Sequence, residues 1–301
     1  MERHEFLTLN IGGQMHTWSR PVVMGILNPT PDSFFAGSRV SQENLRVRAG
    51  EMIDAGADIL DIGGFSTRPG ASWVSMEVEL TRLLPAVKEI RKKFPDAIIS
   101  VDTFRSGVAR KCVEEGADII NDISGGTADP HMFETVADLK VPYILMHTRG
   151  TPDTMTGLTD YDDVTADVLS DLAFKTDKLH QLGVSDVIID PGFGFAKTRE
   201  QNFEMLASLR IFTEIGPVLA GMSRKSMVTR TLDITADEAL NGTTALNMAA
   251  LMNGAVMLRV HDVKEACETV RLYAAIRQAS HTGKQVIITQ YADGKQQTRM
   301  I

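Results

Sequence analysis

Eight short apolar runs of this chain each end on polar side chains whose types can bind or react. In chain order the ends are Asn28, Asp61, Asp102, Asn121 with Asp122, His147, Asp190, Ser223 with Arg224 and Lys225, and Arg259 with His261 and Asp262. A lone Asp in such a place is more often a helix N-cap than a catalyst; eight polar ends together point to a site. Asp102, Asn121 and Asp190 extend from strongly apolar runs, so they are expected deep in a mouth where unpartnered polar groups are costly. A planar heterocycle bearing amino and ring N–H groups, such as a pterin, would satisfy them better than a sugar or a simple acid. Lys225, Arg259 and His261 come from the last two runs and form a cationic patch in an acidic protein, which suits a phosphorylated or pyrophosphorylated substrate. A surface salt-bridge network is the plain alternative. Asn28 offers an oxygen ligand to a Mg²⁺ accompanying that phosphate, since Mg²⁺ takes few protein ligands and keeps waters.

Three loops add to this set. NPTPDSFFAGSR and GGFSTRPGASW mix Gly, Pro, Ser or Thr and an aromatic with one charged tip each, Asp32 and Arg68. They are longer than ordinary βα loops and read as lids, or else as turns pinned by Pro31 and Pro69. DPGFGFAKT sets Phe193 and Phe195 among glycines. Phe195 is read as a stacking wall for an aromatic substrate in preference to a loop anchor.

The elements that must position these residues are legible as alternation. The runs at 22–28, 58–64, 97–103, 118–124, 142–147, 186–192, 217–223 and 256–262 are rich in β-branched residues. Between them lie helix-period segments, one of which places Leu45, Met52 and Ile53 on a single face. AGADILDIGG, EGADIINDISGG and NGAVMLRVHD repeat one unit in which Gly closes a helix before a short strand. Eight such units predict an α/β fold, a closed (βα)₈ TIM barrel over residues 21–280, with an open doubly wound sheet as runner-up. In a barrel, chemistry is built at the carboxyl ends of the strands, and the last two strands often hold phosphate. Residues 1–20 alternate around Gly12 and Gly13 and predict a β-hairpin covering the barrel's N-terminal mouth. Residues 281–301 form a tail alternating around a DG turn.

Composition narrows the setting. The 301 residues carry 31 Lys and Arg against 39 Asp and Glu, a net charge of −8, which argues against nucleic acid as main partner. At 43% hydrophobic and 23% charged the usage is globular. No run approaches the roughly 20 apolar residues of a membrane span, and the opening segment lacks a secretory pattern. Cys112 and Cys267 lie in segments read as helical, without metal-ligand spacing, and suit a reducing cytoplasm, although sequence separation does not exclude a disulfide between them. The apolar face of ALNMAALMNGA predicts a homodimer.

MGILNPTPDSF, DIGGFSTRPG, SVDT, NDISGG, MHTRGTPDTM, IIDPGFGFAKT, GMSRKS and RVHDV, in that order from about Val22 to about Ile276, resemble the successive motifs of the dihydropteroate synthase family. The resemblance implies a transferase that joins 6-hydroxymethyl-7,8-dihydropterin pyrophosphate to p-aminobenzoate with Mg²⁺, releasing pyrophosphate, and that is a target of sulfonamides. It places pterin contacts on Asp102, Asn121, Met146, Asp190, Gly221 and Lys225, and pyrophosphate contacts on Asn28, Arg259 and His261, with Asn28 also meeting the metal. The p-aminobenzoate contacts fall on Thr67, Pro69, Phe195, Lys225 and Ser226. The reaction itself falls to Asp61, Arg68, Asp102, Lys225, Arg259 and His261.

Two departures stand out: Ala36 replaces the usual carboxylate of the first loop, leaving Asp32 as nearest substitute, and Phe65 stands where the family often carries Glu. A methyltransferase passing a methyl group from methyltetrahydrofolate to a corrinoid protein would share the Asp, Asn, Asp pocket, but would not need the SRKS and RVHD cations or the STRPG loop. An aldolase using Lys225 as a Schiff base would leave Asn28 and the loops unexplained. A non-catalytic pterin-binding module would bind pterin without turnover.

Overall fold

The computed structural model describes residues 7–27, 39–64, 74–280, 286–290 and 296–300. Eight parallel strands follow a two-stranded hairpin: β1 (Leu7–Ile11) and β2 (Gln14–Trp18) form the hairpin, and β3 (Val22–Leu27), β4 (Ile59–Gly63), β5 (Ile98–Asp102), β6 (Ile119–Asp122), β7 (Tyr143–Met146), β8 (Val187–Asp190), β9 (Leu219–Ala220) and β10 (Met257–Val260) form one sheet. Consecutive strands pair from β3 to β8, β10 pairs with both β3 and β9, and a parallel bridge between Ile189 and Val218 closes the ring. The (βα)₈ barrel is therefore the fold, and the open sheet is not. The seam is short because Pro217 has no N–H to donate; its carbonyl accepts from Ile189 N at 2.8 Å.

Nine α-helices are described: α1 (Arg39–Asp54), α2 (Met76–Lys93), α3 (Ser106–Glu114), α4 (Met132–Leu139), α5 (Val164–Gln181), α6 (Arg199–Ala207), α7 (Ser226–Leu232), α8 (Leu240–Met252) and α9 (Val263–Ser280). Their ends are set locally. Ser75 caps α2, which carries Glu77 and Glu79 in its first turn and Arg91, Lys92 and Lys93 in its last, matching the helix dipole. Thr198 and Gln201 form a capping box at α6. Cys112 and Cys267 lie in α3 and α9 as free, buried thiols.

The strands bury two opposite faces. Outward residues such as Leu60, Ile99, Ile120, Leu145, Ile189 and Leu258 pack against the helices. Inward residues Val22, Met24, Ile59, Ile98, Ile119, Ile144, Ile188, Leu219 and Met257 form a separate apolar layer at the amino ends of the strands, together with Leu7, Leu9 and Ile11 of β1. The hairpin thus plugs the barrel floor. Its turn uses Gly12 and Gly13 at φ 58° and 83°, the positive values a two-residue turn of this hand requires. Asn10 N donates to Asp186 Oδ2 at 3.0 Å and fixes the plug to the start of β8. A second antiparallel hairpin, β11 (Val286–Gln290) with β12 (Gln296–Met300), lies in the C-terminal segment; the DG turn falls outside the described residues.

Leu9 is 1% exposed within the plug and Met15 is 66% exposed on β2. Leu9→Ala is expected to cost about 2–5 kcal/mol of stability, and Met15→Ala to stay within about 0.5 kcal/mol, measured by urea unfolding.

Candidate active site

Side chains alternate along a strand, so a step of two from each floor residue lands in the barrel again, one layer nearer the carboxyl face. From Ile59 the step reaches Asp61; from Ile98 it reaches Ser100 and then Asp102; from Ile119, Asn121. From Ile144 it reaches Met146; from Ile188, Asp190; from Leu219, Gly221; from Met257, Arg259 and then His261. Above an entirely apolar floor, the barrel therefore changes within one or two steps to a mostly polar lining, with Ile26, Met146 and Gly221 as its apolar members. The same count turns Asp122 and His147 away from the axis.

Asp61 is fully buried. Its Oδ1 accepts from Ser100 Oγ at 2.7 Å, and its Oδ2 accepts from Asn121 Nδ2 at 3.2 Å and from Arg259 Nε at 2.7 Å, with Arg259 Nη2 at 2.6 Å. The same Nη2 donates to Asp102 Oδ2 at 2.9 Å. One guanidinium on the last strand thus bridges two carboxylates of the second and third barrel strands. Burial pushes the Asp102 carboxyl up to about 7, against the pull of Arg259 and with help from the negative charge of Asp61. Burial also raises Asp190, whose Oδ1 accepts from Gly192 N at 2.8 Å, while Lys225 opposes the rise.

Lys225 enters the mouth from the N-cap position of α7. Its Nζ donates to the Phe193 carbonyl and stands 4.7 Å from the centre of the Phe195 ring. Burial lowers its ammonium to about 8, while Asp190 counteracts. Gly221 faces the same space: a Cβ there would stand 3.9 Å from Lys225 Nζ and 3.8 Å from Arg259 Cβ. Ser223 Oγ lies 3.0 Å from His261 Nδ1 and accepts from His261 N at 3.2 Å. Ser226 is exposed at the first residue of α7. Phe195 joins Phe104, Ile123, Met146, Met155 and Ala196 in a small apolar cluster beside the polar layer, and lines a cavity with Ser124 and Thr148.

Three expectations change. The cationic patch is partly neutralised, because Arg259 is held by Asp61 and Asp102; beside it Arg224, at φ 56°, makes a two-pronged pair with Asp262 at 2.7 and 2.9 Å. Asp102 and Asn121 are not without protein partners, so a ligand would share them with Arg259 and Asp61 rather than complete them from nothing. Asp122 and His147 serve the scaffold: Asp122 accepts from Tyr143 Oη, Ser124 N and Gly126 N, and His147 lies against Lys197.

Asn28, Asp32, Ala36, Phe65, Thr67, Arg68 and Pro69 lie outside the described residues. Sequence reading missed Ser100, which steps into the polar layer, and Glu79, which is buried on α2. Glu79 accepts from Thr103 Oγ1 at 2.6 Å and pairs with Arg105, while Arg105 Nη2 donates to the Val74 carbonyl at 2.6 Å. That cluster ties the end of β5 to the start of α2, where the second loop returns. Ser100 was available from the two-residue count; Glu79 carried no sequence signal beyond a first-turn acid.

The raised Asp102 carboxyl fixes a pH dependence. Between the ordinary carboxylate range and about 7 the unfolded chain has released this proton and the folded chain still holds it, so Asp102 lowers stability as pH rises. Urea unfolding from pH 4 to 8 is therefore expected to show Asp102→Asn gaining on the wild type as pH rises towards 7; a constant difference would contradict the shift.

A sequence profile of the family described as pterin binding enzyme matches residues 24–261. The chain is 42% identical over 274 residues to the dihydropteroate synthase of Synechocystis, covering 89% of this chain and 94% of the relative. It is 44% identical over 261 residues to that of Escherichia coli K12, covering 85% and 92%. Among solved structures, the Yersinia pestis dihydropteroate synthase with a sulfonamide drug complex superposes with a TM-score of 0.83 at 38% identity, covering 91% of this chain and 100% of that one. The Xanthomonas albilineans enzyme with 4-aminobenzoic acid gives 0.82 at 37%, covering 90% and 98%. With the profile spanning the strands that carry the polar layer, and relatives aligned over nearly their full lengths, the chain belongs to the pterin binding enzyme family, among its dihydropteroate synthases.

Proposed function

We propose that the polar layer performs the reaction of this family, condensing 6-hydroxymethyl-7,8-dihydropterin pyrophosphate with p-aminobenzoate to 7,8-dihydropteroate and pyrophosphate. The observation that carries the reading is the convergence of Asp102, Asn121, Asp190, Lys225 and Arg259 on one inward layer above an apolar floor. Their donors and acceptors face a space of mixed character, flanked by the apolar cluster of Phe104, Ile123, Met146 and Phe195. A flat heterocycle with N–H groups at its edge and an apolar face fits that arrangement. Solved relatives carry 4-aminobenzoic acid and 7,8-dihydropteroate, which suits the two halves of this site.

Asp102, Asn121 and Asp190 would take the N–H edge of the pterin, with Met146 and Gly221 lining its plane. N–H donors from the ligand stabilise the ionised carboxylates and offset the burial that raises Asp102 and Asp190. The C–O bond at the exocyclic methylene breaks and its electron pair leaves with pyrophosphate. The methylene, conjugated to the electron-rich ring, is left cationic, and Asp102 and Asp190 favour that charge electrostatically. The amine nitrogen then supplies its lone pair to form the C–N bond and releases one proton. An aromatic amine is largely unprotonated at neutral pH, so no dedicated base is required. Arg259 and His261 would hold the departing pyrophosphate. Lys225 and Phe195, with Ser226, Thr67 and Pro69, would hold p-aminobenzoate, and Arg68 would act from the second loop. Asp61 would position Arg259 and Asn121, since protein donors meet both of its oxygens.

Among the described residues no three His, Cys, Asp or Glu side chains gather to hold a metal. Asp61 and Asp102 are engaged by Arg259 and Asp190 by Gly192 N, so the carboxylates do not gather on a metal, and Asn28 would be the residue to hold a Mg²⁺ that accompanies the substrate's pyrophosphate. When bound, it supplies charge neutralisation on the leaving group.

A homodimer through α8 and α9 is consistent with exposed Met252, Leu272 and Ile276. No helix among the described residues is long and apolar enough to cross a membrane.

The test is dihydropteroate formation from the dihydropterin pyrophosphate with Mg²⁺, with and without p-aminobenzoate. Product that depends on p-aminobenzoate and is stoichiometric with released pyrophosphate is expected; pterin binding without product would overturn the reading. Lys225→Ala should lose about 10²-fold in kcat/KM, about 2.7 kcal/mol, and a folded variant within about threefold of wild type would remove Lys225 from the mechanism.

A further inference from the structure

Two lysines grip the loop that follows β8, from opposite sides. Lys225 holds it from the mouth, through the Phe193 carbonyl and the Phe195 ring. Lys197 holds it from beneath. The Lys197 residue is 9% exposed, and its Nζ lies 3.1 Å from the Gly192 carbonyl, 3.0 Å from the Phe195 carbonyl and 3.0 Å from His147 Nδ1, with the His147 carbonyl at 3.5 Å. An ammonium has three hydrogens and no lone pair. Burial lowers the Lys197 ammonium to about 7; in the charged form the three nearer partners use all of its hydrogens, and Nδ1 of His147 is the acceptor. The ring is thereby fixed as the neutral tautomer with its proton on Nε2. Burial, reinforced by Lys197, holds His147 far below its usual range, at about 2.

The clamped loop is one the chain does not adopt freely. Gly192, Gly194 and Ala196 have φ of 74°, 81° and 49°. Ala196 is the non-glycine of the three, in a region that side chains disfavour. A Cβ at Gly192 would lie 2.0 Å from the His147 carbonyl, so the loop rests directly on the end of β7. Among the described residues no carboxylate hydrogen-bonds Lys197; Asp190 on β8 and Asp171 on α5 act on it from further away, against Lys225 and Arg149. A buried ammonium so placed is a costly way merely to fill space. What it holds is the loop whose next face meets Lys225.

We infer that Lys197 and His147 form a buried clamp that positions Phe195 and Lys225, making them a positioning pair for the p-aminobenzoate half of the site. The inference rests on the proposed function for what Phe195 and Lys225 bind. The clamp itself stands on geometry alone.

Lys197→Met keeps the unbranched stem, one atom shorter, and removes its donors. In the full-length enzyme it is expected to raise KM for p-aminobenzoate about tenfold or more, with KM for the dihydropterin pyrophosphate within about threefold of wild type. His147→Asn keeps an acceptor near the position of Nδ1 and should stay within about threefold on both substrates. His147→Leu removes the acceptor and should behave like Lys197→Met. Equal rises in both KM values, an unchanged KM for p-aminobenzoate, or His147→Asn as impaired as His147→Leu would overturn the assignment. Nitrogen NMR of the His147 ring reads the clamp without turnover, whether or not wild type makes dihydropteroate and whether or not Lys197→Met folds. A neutral Nε2–H ring persisting at pH 5 is expected, and a ring that protonates near 6.5 would overturn the clamp.

Discussion

The mouth of this barrel depends on one largely buried guanidinium. Arg259 stands on β10, the strand that closes the ring between β3 and β9, and reaches across β3 to Asp61 on β4 and Asp102 on β5. A fully buried carboxylate without a partner would cost several kcal/mol. Asp61 is tolerated because Ser100, Asn121 and Arg259 supply donors to both of its oxygens. The planar fork sets Nε and Nη2 on Asp61 and shares Nη2 with Asp102, a fixed geometry that the point charge of a lysine would not impose. Asp102 receives one donor from this fork and keeps acceptor capacity towards the axis, so the network separates a positioning acid from an acid available to ligand.

The floor makes that network possible. The hairpin and the inward Ile, Val, Met and Leu residues exclude water from below, so polar groups in the next layer lie in a medium where their interactions are strong and their desolvation is felt. The raised Asp102 and Asp190 and the lowered Lys225 and Lys197 all follow from that burial. Folding energy from the apolar layer thus holds the polar layer in a state that a charged, N–H-rich ligand relieves. The loop after β8 repeats the logic on a smaller scale, with a buried lysine and three alternating positive-φ residues, Gly192, Gly194 and Ala196, holding two carbonyls and a ring in place.

Much of this was legible in the sequence, for physical reasons that also mark where legibility ends. The eight strands read clearly because β-branched runs alternate with helices closed by glycine, as at Gly56, Gly116 and Gly254, whose φ values of 102°, 106° and 100° need that residue. The hairpin read clearly from Gly12 and Gly13. Strand-end polarity alone did not separate Asp61, Asp102, Asn121 and Asp190 from Asp122 and His147; that takes the two-residue count from the floor, which needs the register of each strand. Reading Arg259 as a free cation failed because its neutralising partners lie 198 and 157 residues away in sequence. Glu79, Arg105 and Lys197 were silent because their chemistry comes from tertiary neighbours, such as His147 50 residues before Lys197.

The central claim is that Asp61 and Arg259 act as one unit. A double-mutant cycle of Asp61→Asn and Arg259→Met, read by urea unfolding at pH 7, tests it most directly. The account predicts a coupling energy of about 1.5–3 kcal/mol, because each single variant leaves the other charge buried with fewer partners. Losses that add to within about 0.5 kcal/mol would contradict it.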